Sequence, residues 1–273
     1  MSSTSRYIGY FLIIGCLFSS CEKAIDLQLE NATPDYVIEA TVSNEAGGAK
    51  VLISTTKDFK DNNSFNGVSG AQVSIENNGT AYSLTETSKG IYQAATLVGA
   101  PGNSYRLLVS LAGKNYTANC TMPKVVPLDS VYVSQSKYDL NKDNVPRTFA
   151  VVKYKDPAGE QNYYRFVQYL NNKKEKTLFT FNDEFTPGQT VNTILNYNNP
   201  NDDLSIDLKK GDDLTMEMQC IDATVYKYFY SLRNGASGNG NNAAPSNPLT
   251  NIQGGALGYF SAHTTQRKTI KVP

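Results

Sequence analysis

Ala71-Gln72-Val73-Ser74-Ile75-Glu76-Asn77-Asn78-Gly79-Thr80-Ala81-Tyr82-Ser83-Leu84 is the stretch on which the fold class turns. Val73 and Ile75 alternate with polar neighbours, and Tyr82 and Leu84 resume the alternation after Asn78-Gly79. A period of two puts one face of a strand on a core and the other in solvent. Asn-Gly between two such runs signals a tight hairpin, because both residues tolerate positive φ.

Similar runs lie on either side. Tyr36–Val42 and Val51–Ser54 precede it, separated by the Gly47-Gly48 turn. Gly90-Ile91-Tyr92-Gln93 follows, and then Tyr105–Leu111 and Asn115–Ala118 form a second hairpin around Ala112-Gly113. This density of short strands and turns predicts an immunoglobulin-like β-sandwich over residues 36–123. Met122-Pro123-Lys124-Val125-Val126-Pro127 reads as a linker, since proline denies ladder donors and keeps the preceding residue extended. Strands recur beyond it at Ser130–Val133, Thr148–Tyr154, Tyr163–Tyr169, Leu178–Phe181 and Leu214–Gln219, with Gly258–Ser261 and Thr269–Val272 as two final strands. The fold class expected is therefore mainly β, a sandwich followed by a second β-rich domain over 124–273 with one helix.

That helix is expected at about 222–234. Asp222 caps it, Val225, Tyr228, Phe229 and Leu232 fall on one face, and Gly235 ends it. Its aromatics are expected in the core, against the alternative of a ligand platform. The stretch 234–248 that follows is too polar and glycine-rich to bury much surface, so a mobile loop is expected there. Asn234, Gly235, Ser237, Gly238, Asn239, Gly240, Asn241 and Asn242 are its candidate ligand- or partner-binding residues.

The N-terminus carries an address. An apolar run of about a dozen residues from Tyr7 to Phe18 is shorter than the roughly 20 needed for a membrane-spanning helix. With Arg6 before it and small residues after, it has the layout of a secretory leader. Two cysteines close it, after Ile13-Ile14-Gly15 and after Phe18-Ser19-Ser20. Processing at Cys16 would leave Leu17-Phe18 on the mature chain. Cys21 keeps the apolar run whole and is followed at once by Glu22-Lys23, so Cys21 is the expected lipidation site. The leader is then 1–20 and a lipidated tether 21–35. Acyl chains on Cys21 would hold the protein in a lipid leaflet of the cell envelope, at about 0.8 kcal/mol per buried methylene.

The chain has 25 basic and 25 acidic residues. Losing the leader removes only Arg6 and leaves 24 against 25, a net charge near −1. No basic stripe is present, which argues against nucleic acid as a partner. Cys120 and Cys220 admit a disulfide or two buried free thiols; their separation across two modules favours the thiols. No C-x-x-C or histidine cluster is present, so no metal and no cofactor are expected.

The remaining chemistry is thin. His263 is the one histidine, with no evident nucleophile or orienting acid, and no G-x-S-x-G occurs. Asp139, Asn141 and Asp143 begin like a calcium loop, but Asn144 and Ala150 stand where glycine and the closing carboxylate belong, so a polar hairpin loop is expected. The pairs Asp183-Glu184, Asp202-Asp203 and Asp212-Asp213 are expected in solvated turns, with paired acids or a hard-cation site as the alternative.

The order of short motifs resembles a family. Ser20–Leu27, Tyr36–Ala40, Val68–Val73, Gly90-Ile91-Tyr92, Thr121-Met122-Pro123 and Leu128–Val131 match it. So do Asp156-Pro157, Asn162–Arg165, Gly211-Asp212 and Ile252–Phe260. The chain is similar over nearly its whole mature length to the lipoprotein family of the Bacteroidota known as domain of unknown function 4249. The resemblance implies an envelope lipoprotein whose relatives are often encoded beside TonB-dependent outer-membrane receptors, which makes such a receptor the expected partner and the outer membrane the expected location. It implies no established activity and no catalytic residues. Asp129-Ser130-Val131 also resembles the O-glycosylation site of that phylum, with Ser130 as acceptor; a local Asp-Ser turn at a strand start is the alternative. Surface export in such lipoproteins goes with acidic residues after the lipidated cysteine. Here Glu22 is followed by Lys23, which leaves periplasmic and surface-facing orientations both open. The function expected is a non-catalytic accessory or ligand-binding partner of a TonB-dependent uptake system. The alternatives are a structural or adhesive surface lipoprotein and a hydrolase working through acidic residues.

Overall fold

The computed structural model describes residues 35–57, 64–197, 199, 202–236 and 247–273. Residues Pro34–Pro273 form one compact unit. Among the described residues the chain is mainly β, with fifteen strands and one helix.

The first seven strands are β1 (Tyr36–Ser43), β2 (Ala49–Thr55), β3 (Gln72–Asn77), β4 (Thr80–Ser88), β5 (Ile91–Ala94), β6 (Ser104–Leu111) and β7 (Lys114–Thr121). The opening stretch is the β3–β4 hairpin, with Asn78 and Gly79 at φ 49° and 78°, as its two-residue turn requires. Pairing runs β1-β2-β5-β4-β3-β6-β7. Its first four and last three members pair in the order of the two immunoglobulin sheets. Here β4 pairs with both β5 and β3, so the ladder is continuous through all seven strands.

The chain continues as β8 (Leu128–Leu140), β9 (Pro146–Lys155), β10 (Tyr163–Leu170), β11 (Lys173–Lys174), β12 (Phe179–Asn182), β13 (Thr190–Leu195), β14 (Asp213–Ile221), α1 (Ala223–Ala236) and β15 (Leu257–Lys271). A three-stranded sheet has the order β13-β9-β8. The others extend the first sheet. β10 pairs β14, and β14 pairs residues 264–271 of β15. Residues 257–263 of the same strand run parallel to β1. One 15-residue strand thus replaces the two final strands expected, and it pairs with β1 along its first half and with β14 along its second. Its middle, Ser261 to Thr265, lacks apolar alternation because polar side chains are buried there: Ser261, His263, Thr264 and Thr265.

Two cores follow from this layout. The first gathers Ile38, Ile53, Ile75, Tyr92, Leu107 and Phe260, and α1 closes it with Val225, Tyr228 and Phe229. The helix aromatics are core residues, as their spacing indicates. The second gathers Val152, Phe166, Leu195, Met216 and Met218 between the two sheets. The stretch expected as a linker is packed: Met122 belongs to the first core and Val126 to the second. Gly258, at φ 101°, lies so close to β1 that a Cβ would come 2.0 Å from the Ile38 carbonyl oxygen.

Candidate functional site

Several of the candidate residues fall outside the described residues: Cys21 and the leader and tether up to residue 34, and Ser237, Gly238, Asn239, Gly240, Asn241 and Asn242. Asn234 and Gly235 were expected in a loop but belong to α1, which continues to Ala236. Ser130 is half-buried on β8, beside a bulge that pushes Asp129 outward. Cys120 and Cys220 are buried free thiols. The Cys120 thiol donates to Asp222 Oδ2 at 3.1 Å and accepts from the Ala262 amide at 3.0 Å. Burial first, and the Asp222 charge second, push its pKa up, so it stays protonated.

The acidic pairs separate. Asp183 is buried and accepts the Asn162 amide at 2.9 Å, while Glu184 is exposed. Asp212 ties the turn before β14, accepting from the Lys209 amide and from Asn171 Nδ2. Asp203 accepts the Ser205 amide at 2.8 Å. The calcium-like stretch is a hairpin loop: Asn141 Oδ1 accepts the amides of Asp143 and Val145, both at 3.0 Å. Among the described residues no three His, Cys, Asp or Glu side chains are grouped as metal ligands.

The structure does bring together residues that are far apart in sequence. A cleft of about 610 Å³ opens beside the turn end of the β8–β9 hairpin, walled by Val133, Val145, Leu208 and Val272. Arg147, the second residue of β9, is buried beneath it. Its guanidinium is clasped by Asp207 and Asp202, and Asp139 Oδ1 lies 3.3 Å from Nε. The Tyr197 hydroxyl donates to Asp207 Oδ1 at 2.9 Å. Asp207 Oδ2 is buried without a hydrogen-bond partner. Three carboxylates thus saturate one guanidinium, and Lys209 and Lys210 add positive charge to the lining of the cleft. Above it the hairpin end exposes Tyr138 (95 %), Leu140 (45 %) and Val145 (52 %).

A second polar assembly lines the outward face of β10, β14 and β15. Glu217 Oε2 accepts from Arg267 Nε at 2.7 Å and from the Tyr169 hydroxyl at 3.2 Å, and Arg267 reaches Glu45 at 2.5 Å. Gln219 donates to Glu217 Oε1 and accepts from Arg165 at 3.0 Å. His263 is buried nearby with Nδ1 2.9 Å from Ser261 Oγ. Burial, then the Arg165 charge, pull its pKa from 6.5 to about 3, so the ring is neutral at physiological pH. Sequence reasoning missed Arg147, Asp207, Glu217 and Arg165, because each sits at a position that strand alternation assigns to solvent or to a loop.

With the geometry in hand, comparison with known proteins gives one decisive match. The family model described as domain of unknown function (DUF4249) matches residues 22–269. The chain belongs to this family. The first core and both polar assemblies lie within the DUF4249 match, and the second core runs past its end only at Ile270 and Val272. No curated protein matches the chain. Among solved structures, one similar chain comes from work on host cell surface retention of a 1.5-MDa bacterial ice-binding adhesin. The two are 14% identical, with 89% of this chain and 66% of that one covered and a TM-score of 0.19.

Proposed function

We propose that this DUF4249 protein is a non-catalytic, lipid-anchored accessory protein of the outer membrane that binds a TonB-dependent uptake receptor. The observation that carries the reading is the β8–β9 hairpin end, where Tyr138, Leu140 and Val145 are exposed together above the 610 Å³ cleft. Large apolar side chains grouped at an exposed strand end, beside a concave surface, are the makings of a protein contact. The non-catalytic part is supported by His263, whose buried ring is neutral and bonded to Ser261, and by acidic pairs that are taken up in turns and an ion cluster. The anchor is Cys21.

The test is a tagged pull-down from solubilised membranes, with the parent and with Tyr138→Asp and Val145→Asp. The expected result is an outer-membrane receptor recovered with the parent and depleted about tenfold or more with the variants, the effect of losing roughly 1.4 kcal/mol of contact energy. Equal recovery from all three chains sinks the assignment of the surface. A Cys21→Ala chain that stays in the membrane fraction sinks the anchor.

A further inference from the structure

A cavity of about 280 Å³ opens between β10 and the β11–β12 connection, on the side of the molecule that carries the Glu217–Arg267 assembly. Arg165, Lys174 and Lys176 line it, with Val167 and Leu178 as its apolar wall and Glu175 as its one acid. Arg165 is fixed from two directions. Its guanidinium carbon lies 4.2 Å from the centre of the Phe229 ring, and Nη1 donates to Gln219 Oε1 at 3.0 Å. Gln219 is itself held by Glu217, which Arg267 and Tyr169 hold in turn. The planar fork is thus set before any ligand arrives, and among the described residues Gln219 is its one hydrogen-bond acceptor.

Among the described residues no carboxylate forms an ion pair with Arg165, Lys174 or Lys176. Glu39, facing the same cations from β1, stays out of contact; burial raises its pKa against the pull of Lys174 and Arg165. Partial desolvation of its exposed side chain, then the Arg165 charge, lower the Lys174 pKa, with Glu217 and Glu39 pulling the other way. Two or three like charges around one cavity repel each other, and an anion between them removes that cost. The contrast with Arg147 is direct, since that guanidinium is saturated by three carboxylates.

We propose that this cavity binds an oxyanion, a carboxylate or a phosphate monoester, with Arg165 as the forked donor and Lys174 and Lys176 as flanking charges. The fork of an arginine matches two oxygens of either group, and lysine ammoniums add charge without fixing orientation. Val167 and Leu178 receive the carbon portion of the ligand. The site is separate from the receptor-binding surface, and neither proposal rests on the other.

The experiment is calorimetric titration of the full chain in detergent with sodium phosphate and with sodium acetate, at an ionic strength held constant with sodium chloride. Saturable binding of at least one is expected, and which one binds says whether the natural group is a phosphate or a carboxylate. Losing one charge-assisted contact weakens binding by about tenfold or more, so Arg165→Met and the pair Lys174→Met/Lys176→Met should each do so. The lysine pair is exposed and leaves the melting temperature unchanged, so it decides the matter even if Arg165→Met does not fold. No saturable binding of either anion, or binding that both variants retain in full, overturns the proposal.

Discussion

Arg147 holds three carboxylates from a buried position, and its cation is what offsets their mutual repulsion. Removing the cation strands Asp207, whose Oδ2 already lacks a partner. Breaking a buried pair from one side costs about 3–5 kcal/mol, whereas replacing both members with apolar groups is often close to neutral. Arg147→Met is therefore expected to lose about that much in urea unfolding, and Arg147→Met with Asp207→Leu to regain most of it. A double variant no better than the single one would show that the cluster acts through something other than charge matching. His263 gives a prediction in pH. The unfolded chain takes up a proton near pH 6.5 and the folded chain only near 3, so this residue erodes stability progressively as pH falls through that window. Glu39 and Asp156, whose carboxyls burial raises, act in the opposite sense and favour the folded chain on acidification. The difference in unfolding free energy between the parent and His263→Gln should then shift against the parent from about pH 7 to about pH 4. Parallel pH curves for the two chains would contradict the buried neutral ring.

Among the elements, α1 makes the clearest case for local chemistry. Asp222 Oδ1 accepts from the Val225 amide and from the Thr224 hydroxyl, both at 2.8 Å, while its other oxygen takes the Cys120 thiol. Asp222→Ala removes the cap and orphans a buried donor, so a loss of about 1–2 kcal/mol is expected in thermal or urea unfolding. Asp222→Asn, which keeps an acceptor, should recover much of it. This helix, its cap and the β3–β4 hairpin were legible in the sequence because their signals are local: an acceptor before a 3.6-residue period, and Asn-Gly between alternating runs. β13 was not legible, since Thr190, Asn192 and Thr193 among its six residues mask the alternation of an edge strand in a polar stretch. β15 was read as two strands because its buried middle is polar. The ion clusters escaped for a further reason. Arg147 meets Asp207 across 60 residues and Arg267 meets Glu45 across 222, separations at which no sequence spacing carries information.

Over the whole molecule, β15 belongs to both cores: Phe260 and Ala262 face the first and Ile270 packs against the second. The two halves are expected to unfold in one transition, with far-UV circular dichroism and tyrosine signals coinciding. The thiols report on each core separately, Cys120 in the first and Cys220 in the second. Both should resist a thiol reagent in the native state and become reactive together. Gly258→Ala is the matching perturbation. Its Cβ meets backbone, which cannot swing aside, so a loss above about 3 kcal/mol and roughly 10 °C in melting temperature is expected, felt by both thiols alike. If Cys220 kept its protection while Cys120 lost it, the cores would be independent.

The parallel pairing of β1 with residues 257–263 also sets an order of events during synthesis. β2 follows within a few residues and covers one flank of β1, but the other flank has to wait for nearly the entire chain to leave the ribosome. Contacts so distant in sequence form slowly, and an uncovered strand flank invites mispairing in the meantime. The earliest strand made is among the last completed, and a holding factor that binds the newborn polypeptide has that open flank of β1 to occupy.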